Sequence, residues 1–149
     1  MATLRVASER TIAAPAEKVY GVLVDYRQHH PRILPPAFSD YAVKRGGVGE
    51  GTVVAFKLKT GGRTRDFRVQ VAEPQPGRVL MESDMKSTLV TTFTVDPASD
   101  GSRVRIETNW QGARGFGGLM ERMFAPRVIE KLYADELDRL DQYARTAAL

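Results

Sequence analysis

The stretch "TVVAFKLKTGGRTRDFRVQV", residues 52 to 71, decides the fold. On both sides of a Gly–Gly pair the side chains alternate apolar and polar, the period of a strand with one buried face. In "TVVAFKLK", Val54, Phe56 and Leu58 share one face while Lys57 and Lys59 share the other, so the apolar set must lie inside. In "TRDFRVQV", Phe67, Val69 and Val71 share a face, with Asp66, Arg68 and Gln70 pointing to water. Parity puts Arg65 on the inner face with them, which makes it the least comfortable charge in the chain. With "TGGR" (60–63) as the turn, the stretch is an antiparallel hairpin.

Working outward, the same pattern fills residues 38 to 110. Further turn signals, "GGVGEG" (46–51), "PQPG" (74–77), "DMKS" (84–87) and "DPASDG" (96–101), cut it into six runs of strand length, an antiparallel meander. "LRVASERTI" (4–12) alternates as well and adds a seventh strand at the start. Between it and the meander, "APAEKVYGVLVDY" reads as a short amphipathic helix, with Pro15 in its first turn and Val19, Val22 and Leu23 at helical spacing. Then "DYRQHHPRILPP" (25–36) carries Pro31, Pro35 and Pro36, which cannot continue a helix, so it is a constrained connection. The one long helical pattern lies at the C-terminal end. Ile129, Leu132, Tyr133, Leu137 and Leu140 recur every three to four residues, and Pro126 either kinks that helix or starts its longer part.

A length of 149 residues, 42% hydrophobic and 27% charged, fits a single domain spanning 1–149, and no linker divides it. No apolar run approaches the roughly 20 residues of a membrane span, and the start has no secretory pattern, so a cytoplasmic location is expected. The absence of cysteine excludes disulfides, thiolate nucleophiles and Cys-ligated metals. The two histidines, His29 and His30, are adjacent and diverge, so neither a metal nor another cofactor is expected. The net charge is +4, but the arginines are scattered singly and no basic run is interleaved with aromatics, which argues against nucleic acid as a partner.

Strand, short helices, six-strand meander, long C-terminal helix: this order resembles the helix-grip fold of the START-like, or Bet v 1-like, superfamily (SRPBCC). It is closest in type to the bacterial polyketide cyclases/dehydrases of that superfamily. "IAAPAEKVYGVLVDYRQHHPRILP" resembles the superfamily's opening, and "PGRVL" followed by "TTFTVDPASDGSRVRIETNW" resembles its later strands. The resemblance implies an α+β fold with a seven-stranded curved antiparallel sheet around the C-terminal helix and two short helices after the first strand. It also implies an elongated pocket between sheet and helix for an apolar ligand. A sheet curled around one helix encloses more volume than that helix fills, so such a cavity can persist.

Parity then assigns the lining. Val54, Phe56, Leu58, Arg65, Phe67 and Val69 come from the hairpin, Thr91 and Phe93 from "TLVTTFTV", and Ile106, Thr108 and Trp110 from "RVRIETNW". "RVLMES" admits either Leu80 with Glu82 or Val79 with Met81 inside; the apolar pair, and so Met81, is the reading adopted. From the C-terminal segment come Met120, Met123, Phe124, Ile129 and Tyr133. Three alternatives stay open: Arg65 snorkelling outward, Trp110 as plain core, and the Met/Phe cluster as ordinary helix packing.

The primary function expected is binding of a hydrophobic small molecule, a lipid, polyketide or polyaromatic compound, by a monomer or homodimer. The second reading is a polyketide cyclase/dehydratase, in which Arg65, Tyr133, His30 and Tyr26 would hold an enolate and move a proton. Against it, the histidines also read as exposed residues or as caps on helix-end carbonyls. A protein-interaction domain of the co-chaperone type is the third reading.

Overall fold

A computed structural model of the chain describes residues 3–111 and 126–147. Met120, Met123 and Phe124 lie outside the described residues. In chain order the elements are β1 (Thr3–Ile12), α1 (Ala16–Val24), a single 3-10 turn (His30–Ile33), β2 (Phe38–Arg45), β3 (Val53–Thr60), β4 (Arg63–Gln75), β5 (Val79–Asp84), β6 (Val90–Ala98), β7 (Gly101–Gln111) and α2 (Pro126–Thr146). The seven strands form one antiparallel sheet in the order β1-β7-β6-β5-β4-β3-β2. This is the expected α+β helix-grip architecture. Of the two short helices expected after β1, the first is α1 and the second is the 3-10 turn, which ends at Leu34 because Pro35 biases that residue to the extended backbone it adopts.

The meander follows from its turns. Between β3 and β4, Gly61 and Gly62 hold φ of 56° and 78°, the left-handed pair that a two-residue hairpin with native twist requires. At the entry to β7, Gly101 has φ of 139°, and a side-chain carbon there would sit 2.2 Å from the Ile12 carbonyl oxygen. The sheet bends because its ladder is interrupted. β2 shifts register against β3 between Ser39 and Ala42, and β4 shifts against β5 between Ala72 and Gln75, where Pro74 cannot donate to the ladder.

Inside the curve, α2 lies along β1 and touches α1 and the 3-10 turn. Ile129, Leu137, Leu140 and Ala144 are buried against the inner face, which Ile106, Phe93, Leu80 and Trp110 fill. On the outer face near β1 and β7, Glu9 bridges Arg103 at 3.1 Å and Arg105 at 3.3 Å, a solvated ladder worth little per pair.

One buried polar contact joins α2 to the start of the fold. Asp141 is 2% exposed and accepts the Ala13 N–H at 2.9 Å, with Arg10 at 3.2 Å and Arg145 at 2.8 Å on its other oxygen. Burial pushes this carboxyl up, but the Ala13 amide and the two guanidiniums outweigh it and hold it below the usual aspartate range. Asp141→Asn should therefore lower the unfolding free energy by about 1–3 kcal/mol at neutral pH. A native carboxyl held low contributes stability above its unfolded pKa and loses it as pH falls through the native one. Denaturant melts should show the wild-type advantage in full at pH 6 and shrinking below 3.8, the ordinary aspartate value.

Candidate functional site

The site is built on the connection between α1 and β2. Asp25 closes it: its side-chain Oδ1 accepts the N–H groups of Arg27 (3.1 Å) and Gln28 (2.9 Å), and its carbonyl accepts that of His30 (2.8 Å). The loop before β3 ties it from the other side. The Tyr26 N–H donates to the Gly47 carbonyl at 2.8 Å, the Gly49 N–H donates to the Val24 carbonyl at 3.0 Å, and the Arg27 guanidinium donates to the Gly46 carbonyl. Tyr41 on β2 donates its hydroxyl to the Tyr26 carbonyl at 2.6 Å. Held at both ends, the connection turns Tyr26 and His30 inward, 1% and 3% exposed.

They face a cavity between the inner sheet face and α2. Its described lining is Tyr26, His30 and Leu34 of the connection, Phe38 and Tyr41 of β2, Val54, Phe56 and Leu58 of β3, Phe67 and Val69 of β4, Glu82 of β5, Leu89, Thr91 and Phe93 at β6, and Tyr133 and Glu136 of α2. The space open to the centre of a water-sized sphere is ≈ 60 Å³. That is room for a few waters, so a larger guest would have to displace side chains. The lining has two characters. One wall is aromatic, with Phe38 against Phe56 and Phe56 stacked on Phe67, both at 5.4 Å between ring centres. The opposite wall is polar and titratable.

Glu82 is the centre of that polar wall. It accepts the Tyr26 hydroxyl at 2.6 Å and lies 3.6 Å from His30 Nε2. The other ring nitrogen, His30 Nδ1, donates to the Leu23 carbonyl of α1 at 2.6 Å, since a carbonyl can only accept. His30 thus caps the helix end, as one reading of the sequence had it, and also lines the cavity. Tyr26 stacks on it at 4.4 Å and Phe93 meets it edge-on at 5.7 Å, so the ring cannot swing away. The Nε2 atom, turned toward Glu82, is left to give or take a proton.

The second carboxyl is Glu136, 3% exposed on α2. Burial, then the charges of Glu82 and Asp135, push it well above the usual glutamate range, which favours the protonated form. Beside it, Tyr133 shares a hydrogen bond with Thr108, whose hydroxyl also meets that of Thr91 at 2.7 Å. Burial keeps Tyr26, Tyr41 and Tyr133 as phenols, well above the ordinary tyrosine value.

Of the residues expected to line the cavity, Val54, Phe56, Leu58, Phe67, Val69, Thr91, Phe93 and Tyr133 border it, as do Tyr26 and His30 of the cyclase reading. Ile106, Thr108, Trp110 and Ile129 are buried but behind the lining. Trp110, on β7 opposite Leu4 of β1, is thus part of the core. Arg65 shares the inward parity of Phe67 but lies over its ring at 4.9 Å, with Asp84 at 3.7 Å, and is not part of the lining.

Met81 is a correction. Leu80 is fully buried and Glu82 faces the cavity, while Val79 and Met81 are turned to the other face. Pairing decides this: Glu82 stands opposite Val71 on β4 and Thr91 on β6, both inward. Sequence reasoning passed over Glu82 because a charged strand residue ordinarily points to water, and only the cross-strand register overrules that. Glu136 had a readable signal, since it lies three residues after Tyr133 on the apolar stripe of α2.

Residues 3–145 match the family model described as polyketide cyclase/dehydrase and lipid transport. No curated protein sequence matches the chain significantly. Among solved structures, the chain is similar to the KanY protein in solution, at 34% identity over 97% of this chain and 99% of that one, with a TM-score of 0.86. It shares its fold with the Zhui aromatase/cyclase from Streptomyces sp. R1128 (17% identity, 97% and 94% covered, TM-score 0.76). It also shares it with norcoclaurine synthase from Thalictrum flavum, solved with dopamine and hydroxybenzaldehyde (16% identity, 99% and 90% covered, TM-score 0.71).

Burying Glu136 has a thermodynamic sign. Its native pKa lies above the ordinary 4.5, so as pH rises past 4.5 the unfolded chain gives up a proton that the native state keeps, and stability falls. Glu136→Gln removes that loss. Thermal melts should show variant and wild type alike near pH 4 and the variant more stable at pH 8, by about 1.4 kcal/mol for each unit of native elevation.

Proposed function

The chain belongs to the polyketide cyclase/dehydrase and lipid transport family, and from that premise we propose that it binds a small molecule with a hydrophobic, aromatic-sized body in the cavity between sheet and α2. The observation that carries this reading is the division of the lining. The Phe38, Phe56 and Phe67 wall suits a flat apolar body, and the Tyr26, Glu82, His30 and Glu136 wall suits one polar end. Core side chains elsewhere interdigitate, whereas here buried acids and phenols face open space. A second reading, acid–base chemistry on that guest, is favoured by one observation: His30 has Nδ1 committed to a carbonyl and Nε2 directed at the Glu82 side of the cavity. The interaction-domain reading has less support, since the exposed large apolar side chains among the described residues, Val48, Met85 and Val128, sit on three separate segments.

The test is a titration with 2-naphthylmethanol, a neutral aromatic alcohol, followed by NMR. Shifts should centre on Phe38, Phe56, Phe67 and Tyr26. Phe56→Ala should weaken binding roughly three- to tenfold, the scale of one lost aromatic stack. No shift, or shifts confined to the outer sheet face, would end the proposal. For the acid–base reading, turnover of a poly-ketone substrate should be lost in His30→Asn and kept in Arg65→Ala.

A further inference from the structure

Resting on that cavity reading, we infer that the polar end the site selects is a protonated amine: the ligand class is an organic ammonium ion on an apolar body, not a fatty acid or other anion. The inference starts from a charge inventory. The chain carries 22 Lys and Arg against 18 Asp and Glu, yet the described cavity lining holds two glutamates and neither lysine nor arginine. Arg65, which shares the inward strand parity, is drawn off over Phe67 toward Asp84. An anionic guest would therefore be placed beside Glu82, and no fixed cation among the described lining residues would receive it, an unfavourable contact in low dielectric.

The two carboxyls are not equivalent. Glu82 already has the Tyr26 hydroxyl at 2.6 Å and His30 Nε2 at 3.6 Å. Glu136 lines the cavity at 3% exposure, and among the described residues its carboxyl has no hydrogen-bond or ion-pair partner. A buried polar group facing open space without a partner is a half-made contact, and for the ionised carboxyl the missing half is a donor. Around it, Glu82, the phenols of Tyr26, Tyr41 and Tyr133 and the Thr91 hydroxyl all present acceptor oxygens or aromatic faces, and Asp135 directly precedes it on its own helix. Among the described lining residues His30 is the one group able to become cationic, and its place beside Glu82 leaves Glu136 unanswered. An ammonium group can donate to Glu136 and Glu82 together while its charge lies against aromatic faces, a recurrent way to hold such cations.

The step carries a proton balance. In the free protein burial raises the Glu136 pKa and so favours the acid form. When an ammonium ion enters, the acid gives its proton to solvent, and the resulting carboxylate pairs with an ammonium group that keeps all its own protons. Up to one proton is released per amine bound.

The experiment compares three probes of one size: 2-naphthylmethylamine, 2-naphthylmethanol and 2-naphthoate, titrated calorimetrically at pH 7 in two buffers of different ionisation enthalpy. The amine should bind at least tenfold more tightly than the alcohol, the carboxylate most weakly, and only the amine should release protons. In Glu136→Gln the amine-to-alcohol affinity ratio should fall toward one and the proton release should vanish. If the alcohol binds and the amine is no tighter, or the carboxylate is tightest, the ammonium inference fails while the cavity reading stands. If none of the three binds, both fall.

Discussion

The structure depends on the pairing of the first strand with the last. β1 runs antiparallel to β7 from Thr3 opposite Gln111 to Ile12 opposite Ser102, which sets β1 at one end of the sheet and β2 at the other. A meander alone would leave its inner face open. With β1 added beyond β7, α2 has a strand to lie along, and Asp141 can reach the Ala13 amide at the exit of β1. The long C-terminal helix is thereby held against the sheet by apolar burial along its length and by one buried charge-assisted contact near its end.

What that closure leaves between helix and sheet is a space with two unlike walls. The aromatic wall is formed by β2, β3 and β4, the strands bent by register shifts. The polar wall gathers single residues from far apart in the chain: Tyr26 and His30 from the connection, Glu82 from β5, Thr91 from β6, Tyr133 and Glu136 from α2. β5 and β6 are neighbours both in sequence and in the sheet, while the connection and α2 come from opposite ends of the chain. Such an arrangement lets the scaffold stay constant while the chemistry of the cavity varies. It also concentrates unfavourable electrostatics in one place, where two glutamates share a poorly solvated space.

The proline-rich connection illustrates how scaffold and site coincide. Pro31, Pro35 and Pro36 restrict the backbone, Asp25 closes the turn, and the glycine loop supplies carbonyls that the connection's amide and guanidinium groups meet. His30 is at once a cap on α1 and a cavity wall. Its adjacency to His29 carries no shared chemistry, because His29 turns away to the Tyr143 hydroxyl at 2.7 Å.

By itself the sequence determined the elements and most of their faces. Alternation in "TVVAFKLK" and "TRDFRVQV" specified which side chains go inward, since period two leaves only one parity that buries Val54, Phe56 and Leu58. Gly61 and Gly62 specified the hairpin, since few other residues accept two successive positive φ angles. The tertiary structure alone decided the polar half of the site. Leu80 and Met81 are both apolar, so local hydrophobicity could not choose between the parities of β5; the register against Val71 and Thr91 chose, and carried Glu82 inward. Arg65 had the right parity yet stands outside the lining, because a long side chain follows its counter-ion and an aromatic face as well as its Cβ. Burial of a charged group depends on what surrounds it in three dimensions, which a one-dimensional pattern does not contain.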